Sequence, residues 1–137
     1  MRIPVFDGHN DALLRLAGLP AGVDPVRSFI EGYEPSHIDL PKATAGDFAG
    51  GLFAVFCPSP KRNPAAATSL TGFATDALGM DEARALAIQQ VSILLRLEAA
   101  GALTVCRSTS EIRQAMAAGK LAAVLHMEGV EAIDAEL

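Results

Sequence analysis

Residues 50–57, Gly-Gly-Leu-Phe-Ala-Val-Phe-Cys, form a run of eight apolar or small residues with no polar alternation, closed by Pro58. A run of this length and character suits a strand covered on both faces, as in a parallel sheet packed between helices. The two glycines at its start leave room for a close backbone approach or a bulge. A chain built on such a strand has to supply parallel neighbours for it and amphipathic helices to cover it.

Both are legible. Ile3, Val5 and Phe6 mark a strand near residues 3–6 that breaks at Gly8, Leu103 to Cys106 a short one, and 121–127 another. Between them lie helical patterns. Ala12 to Leu16 gives one or two turns. Asp24-Pro25 opens a helix with a cap residue followed by Pro at the first helical position, and that helix ends near Gly32. The longest spans Asp81 to Ala100. Its apolar stripe is Leu86, Val91, Leu94, Leu95 and Leu97, extended by Ile88 and Ile93, with Glu82, Arg84, Gln89, Gln90, Arg96 and Glu98 on the polar side. Asp81 is placed to cap its start and Gly101 to close it. Ser108-Thr109-Ser110-Glu111 is a capping box for a helix running to about Ala118. The connection from Pro58 to Gly79 leaves the carboxyl end of the central strand. It suits a lid or substrate-side loop, or a disordered excursion.

With half of its 137 residues hydrophobic, no Trp and a mean hydropathy of +0.30, the chain has an aliphatic, alanine-rich core. A formal charge of -5, with no clustering of Lys and Arg, argues against nucleic acid or an anionic membrane as partner. No apolar run reaches the roughly 18 residues of a membrane span, and no signal-peptide pattern opens the sequence. A cytoplasmic location is the expectation. Cys57 and Cys106 are too few for a disulfide framework and too far apart for a CxxC site, so both read as buried inert thiols.

The chemistry-bearing residues lie at strand ends. In Asp7-Gly8-His9-Asn10-Asp11, His9 and Asp11 are two apart, and in an extended segment such side chains share a side. An imidazole nitrogen and a carboxylate oxygen make good ligands for zinc or a similar divalent ion. Asn10 points elsewhere and secures the turn, while Asp11 stands where it could also cap the following helix. The other reading is a polar Asp-Gly turn. His37-Ile38-Asp39 repeats the spacing before Pro41 without a strand to aim it, so Asp39 reads as a loop anchor or as the cap of the turn at Pro41–Ala45. In Leu121 to Gly129, Ala122, Val124, His126 and Glu128 share one face of a strand whose end carries Glu128. A carboxylate there suits an active site of a parallel α/β fold, or a cap for a helix starting near Val130. His126, one pleat deeper, reads as a flanking or core residue rather than a ligand.

Three good strands and one short one fall well below the eight that a closed (β/α)₈ barrel needs in about 250 residues. Val130 to Leu137 begins a helical pattern without a cap, Gly or Pro to end it. The expectation is a single domain portion over residues 1–137, incomplete at its carboxyl end.

With Asp7 to Asp11, His37 to Pro41, Gly46 to Pro60 around Phe48-Ala49-Gly50-Gly51, and His126 to Gly129 in order, the sequence resembles the membrane dipeptidase (renal dipeptidase) family of zinc metallopeptidases. The match covers essentially the whole chain and only the first part of the family. The resemblance implies an α/β fold, the N-terminal part of a TIM-like (β/α)₈ barrel with parallel strands and amphipathic helices. It implies two zinc ions, His9 and Asp11 holding one and Glu128 bridging both, that activate a water to hydrolyse dipeptides. The family's remaining histidine ligands, its substrate-binding histidine and its catalytic aspartate fall beyond Leu137, and His37 and His126 do not replace them. The chain by itself is therefore expected to bind metal weakly and to hydrolyse little or nothing. Its implied partners are a dipeptide and either the missing barrel part or a second copy. The soluble bacterial-type members are the nearer comparison. An amidohydrolase-like metal-dependent hydrolase is the alternative, disfavoured because those open with His-x-His. A non-catalytic remnant that serves as an assembly unit is another.

Overall fold

The computed structural model describes residues 3–58 and 78–136. The long connection read as a lid or excursion falls mostly outside the described residues. Four strands, β1 (Val5–Asn10), β2 (Phe48–Phe56), β3 (Thr104–Val105) and β4 (Ala122–Glu128), form one parallel sheet in the order β1-β2-β4-β3. The run that opened the sequence reading is the central strand β2. It pairs with β4 without interruption from Gly50–Ala122 to Phe56–Glu128. β3 meets only Ala122 and Ala123 at the base of β4.

Five helices fill the connections: α1 (Ala12–Ala17), α2 (Pro25–Glu31), α3 (Leu40–Ala45), α4 (Met80–Ala99) and α5 (Thr109–Ala117). The sequence-encoded caps are in place. Asp24 accepts from the amides of Val26 and Arg27 ahead of Pro25. Ser108 and Glu111 form the reciprocal capping box of α5. Asp81 caps nothing: α4 begins one residue earlier, after Gly79, and Asp81 lies in its first turn, where a carboxylate favours the helix dipole.

Alternation along the strands sorts the core into two layers. Phe53 and Val55 of β2 and Ala123 of β4 face Leu13 and Leu16 of α1, Phe29 of α2, and Ile93, Leu94 and Leu97 of α4. Leu13, Phe29, Leu94 and Leu97 are fully buried, and each such side chain contributes about 1.5–3 kcal/mol relative to exposure. On the opposite face α5 brings Ala115, Ile112 and Met116 against Ala122 and Val124, covering the amino-terminal part of the sheet. Towards its carboxyl end that face carries His126 and Glu128 of β4 beside Ala54 and Phe56 of β2.

Two expectations are corrected. On α4, Gln90 is only 1% exposed, whereas Ile88 and Leu95 are 69% and 47% exposed. The helix buries Ala83, Ala87, Gln90, Leu94 and Leu97, and Gln90 can join that seam because its amide finds backbone partners on β2. Residues 130–136 are turns instead of a helix. Arg84 donates to the Ala132 carbonyl and pairs with Asp134, whose carboxylate accepts the Glu136 amide. The tertiary bonds from Arg84 and the local Asp134 turn compete with a helix too short to hold itself.

Candidate metal centre

β1 does not stop at Gly8 but runs through it to Asn10. Between the pairs Asp7–Gly51 and Asn10–Phe53 it spends one more residue than β2, a bulge that re-aims the side chains at its end. Gly8 and His9 occupy the slip. Asp7 accepts the His9 amide at 3.3 Å and Asn10 turns inward, only 7% exposed, against Gly51. The Asn10 Oδ1 accepts the Ala12 amide at 3.3 Å, so Asn10 secures the turn as expected, and its Nδ2 has no partner among the described residues. Asp11 occupies the N-cap position of α1 yet makes no side-chain cap. Asn10 accepts the amide of Ala12, the first helical residue, and the Asp11 carboxylate faces His9.

Glu128 ends β4. Gly129 follows at φ +86, a left-handed conformation that ends the strand abruptly and is strained for any residue with a Cβ. No helix starts there, so Glu128 is not a cap. Its Oε2 lies 3.3 Å from the His9 Nε2, and the Asp11 Oδ1 lies 3.5 Å from the same nitrogen. One donor atom from each of His9, Asp11 and Glu128 lies within 4.8 Å of the others. Bonds of about 2.0–2.2 Å to a tetrahedral zinc-like ion put its ligands about 3.3–3.6 Å apart. The two distances from His9 match that spacing, and an imidazole with two carboxylates suits a divalent cation. The residues fit a metal ion. All three side chains are near half exposed, so their mutual attraction adds little to stability in itself.

The remaining histidines stay outside this group. The ring of His126 stands edge-on to that of His9, centroids 5.6 Å apart and planes at 80°, which makes it a flanking residue. His37 lines a cleft of about 270 Å³ with Arg15, Ser36, Asp7 and the His9–Asp11 segment. Its neighbour Asp39 is structural, as its position before Pro41 suggested. Asp39 is 1% exposed, caps α3 through the Lys42 amide, accepts the Tyr33 amide, and binds the Lys42 ammonium at 2.7 Å. Burial alone pushes this carboxyl up. The Lys42 ammonium and the two amides outweigh it and hold Asp39 below the usual carboxylate range. Lys42 also donates to the carbonyls of Tyr33 and Ser36, fixing the loop that forms one wall of the cleft.

Sequence reasoning missed Gln90, which lies behind the site against Phe56. A signal was present: stepping back from Leu97 and Leu94 by alternating intervals of three and four lands on Gln90, Ala87 and Ala83.

Comparisons with known proteins identify the family and the fold. A family model described as membrane dipeptidase (peptidase family M19) matches residues 1–137. A crystal structure of a metallo peptidase from Rhodobacter sphaeroides, liganded with a phosphinate mimic of the dipeptide L-Ala-D-Ala, is similar with a TM-score of 0.81 at 37% identity, over 98% of this chain and 40% of that one. The dipeptidase AC, a metallo peptidase of family M19, is similar with a TM-score of 0.81 at 39% identity, over 98% and 38%. An uncharacterized protein of Acinetobacter calcoaceticus is 37% identical over 96% of this chain and 42% of its own length. The chain thus spans about two-fifths of these relatives. The related M19 structures are TIM-like barrels, and the parallel sheet with its helices is the N-terminal part of such a barrel. By a family match that runs from its first residue to its last, this chain belongs to the membrane dipeptidase family, peptidase family M19.

Proposed function

We propose that the chain is the N-terminal part of a zinc-dependent dipeptidase that hydrolyses the peptide bond of dipeptides, including those with a D-residue at the carboxyl end. The observation that carries this reading is the meeting of His9, Asp11 and Glu128 from the ends of β1 and β4 at the spacing of metal ligands. His9, Asp11 and Glu128 would hold the metal, Glu128 serving both ions of a two-ion site. A metal held there would supply polarisation of a scissile carbonyl and a more acidic water as nucleophile. The chain's own residues supply the rest. Asp7 holds the His9 backbone, Asn10 secures the turn into α1 through the Ala12 amide, and His126 braces the His9 ring. The dipeptide assignment takes support from the phosphinate dipeptide mimic on the Rhodobacter relative.

Among the described residues, only Glu128 is placed to serve a second ion. The reading therefore includes weak metal binding and little or no turnover by these 137 residues alone, and a need for the rest of the barrel to complete the site. Two surfaces suit the missing part of the barrel. Among the described residues, β4 above Ala123 has a strand on one side only, and Leu125 and Met127 are each 44% exposed. An apolar groove of about 550 Å³, lined by Ile88, Val91, Leu95, Ala99 and Met127, lies beside it, away from the metal centre.

Hydrolysis of Gly-D-Ala with added zinc tests the proposal, on the chain alone and on the chain joined to the C-terminal three-fifths of a 37%-identical relative. Turnover is expected from the joined protein only. Robust turnover by the isolated chain overturns the fragment reading, and inactivity of a folded, metal-loaded joined protein overturns the dipeptidase reading.

A further inference from the structure

Gln90 uses both ends of its amide on the backbone of a single residue. Its Oε1 accepts the Phe56 amide at 3.2 Å, and its Nε2 donates to the Phe56 carbonyl at 2.7 Å and to the Leu86 carbonyl at 3.2 Å. A neighbouring strand would normally offer such a donor and acceptor together. β1 has none to offer here, because its last pairing, Asn10 with Phe53, lies three residues back and the chain has already turned into α1. The side chain of a helix residue thus stands in for the missing strand. It is fully buried and fully satisfied, and a half-satisfied amide in that position would be costly.

Phe56 is the residue paired with Glu128. β3 ends at Val105, opposite Ala123, so among the described strands only β2 aligns the carboxyl end of β4. The Glu128 carboxylate has to reach across the whole of β2 to meet His9, since β2 lies between β1 and β4. Whatever fixes the end of β2 therefore fixes the reach of Glu128. We propose that Gln90 is a positioning residue of the metal centre: its amide clamps the carboxyl end of β2 and thereby holds Glu128 where its carboxylate meets His9 and Asp11. The inference rests on the metal-centre reading for its functional meaning, although the clamp itself does not depend on a metal.

Two variants test it. Gln90→Met keeps the bulk and removes both bonds, and Gln90→Glu keeps the acceptor for the Phe56 amide and loses the donor. In the metal-free chain, amide exchange at Phe56 and the nuclear Overhauser effect between the His9 and His126 rings report the clamp and the site geometry. Cobalt(II) titration, followed by its visible absorption, reports metal affinity. For Gln90→Met we expect Phe56 to exchange at least about tenfold faster, the ring contact to weaken, and the cobalt Kd to rise about 10–100-fold, the usual effect of losing a supporting shell. Gln90→Glu should fall between this and wild type in ring contact and Kd, and it decides the matter alone if Gln90→Met does not fold. A folded variant with wild-type ring contact and wild-type Kd overturns the proposal, leaving Gln90 a satisfied core amide. A wild-type chain that gives no cobalt spectrum even at cobalt concentrations that would fill a weak site counts against the metal-centre reading instead, and the ring contact then decides for or against the clamp.

Discussion

Glu128 Oε2 lies 3.3 Å from His9 Nε2, although the two side chains rise from strands separated by the full width of β2. Two carboxylates, Glu128 and Asp11, face this one imidazole nitrogen, an arrangement that gains from a cation at its centre. Removing either end should show in metal affinity before stability, since all three groups are substantially exposed. For His9→Ala and Glu128→Gln we expect cobalt or zinc affinity to fall by more than about tenfold, because even outer-shell partners are worth about 10–100-fold. Calorimetric titration checks this, and an unchanged Kd in Glu128→Gln would remove Glu128 from the ligand set.

The crossing over β2 depends on how closely the strands approach. A Cβ built on Gly50 would run into the Ala122 carbonyl and the Ala122 side chain, with the Phe6 ring at 3.0 Å. Gly50→Ala should force β2 and β4 apart at their amino-terminal ends and cost about 1–3 kcal/mol, the range for overpacked sites. Denaturant melting reads the loss.

Asp39 should make the fold acid-sensitive. Its carboxyl is held below the usual range in the folded chain. Its contribution is therefore complete above the unfolded value of about 3.9 and is lost as pH falls through the lower folded value. Lys42→Met should remove most of this sensitivity along with about 1–3 kcal/mol at neutral pH. That is less than the about 3–5 kcal/mol of a fully buried pair, because the Lys42 side chain is 40% exposed and Asp39 retains two amide bonds. Stability measured from pH 7 to pH 3 for both proteins tests the slope. Equal losses on acidification would exclude Asp39 as the source.

The two thiols should resist modification until the chain unfolds. Burial, with Glu131 nearby, raises the Cys57 thiol, and burial with Glu111 and Glu98 raises Cys106 above ordinary values. At pH 8 both should react with a disulfide reagent more than about tenfold slower than a free thiol, and at normal rates in denaturant. Rapid labelling of the folded chain would contradict the burial described for them.

Much of this was legible in local sequence because local physics decided it. The unbroken apolar run at 50–57 had to be a strand covered on both faces, the caps at Asp24, Asp39 and Ser108 follow from short-range hydrogen bonds, and His9 and Asp11 do share a side. That Glu128 meets them could be drawn from the family resemblance and not from the residues, for nothing in the sequence states that β4 lies beside β2. The strand order β1-β2-β4-β3 decided that, since side chains distant in sequence converge only when parallel strands stack in register. Tertiary contact also overruled local pattern. A polar Gln90 became core once Phe56 could satisfy its amide, a helical pattern after Val130 gave way to bonds with Arg84, and Asp11, in the N-cap position, faces His9 instead of capping α1. In each case the sequence limited which hydrogen bonds were possible, and the packed structure selected among them.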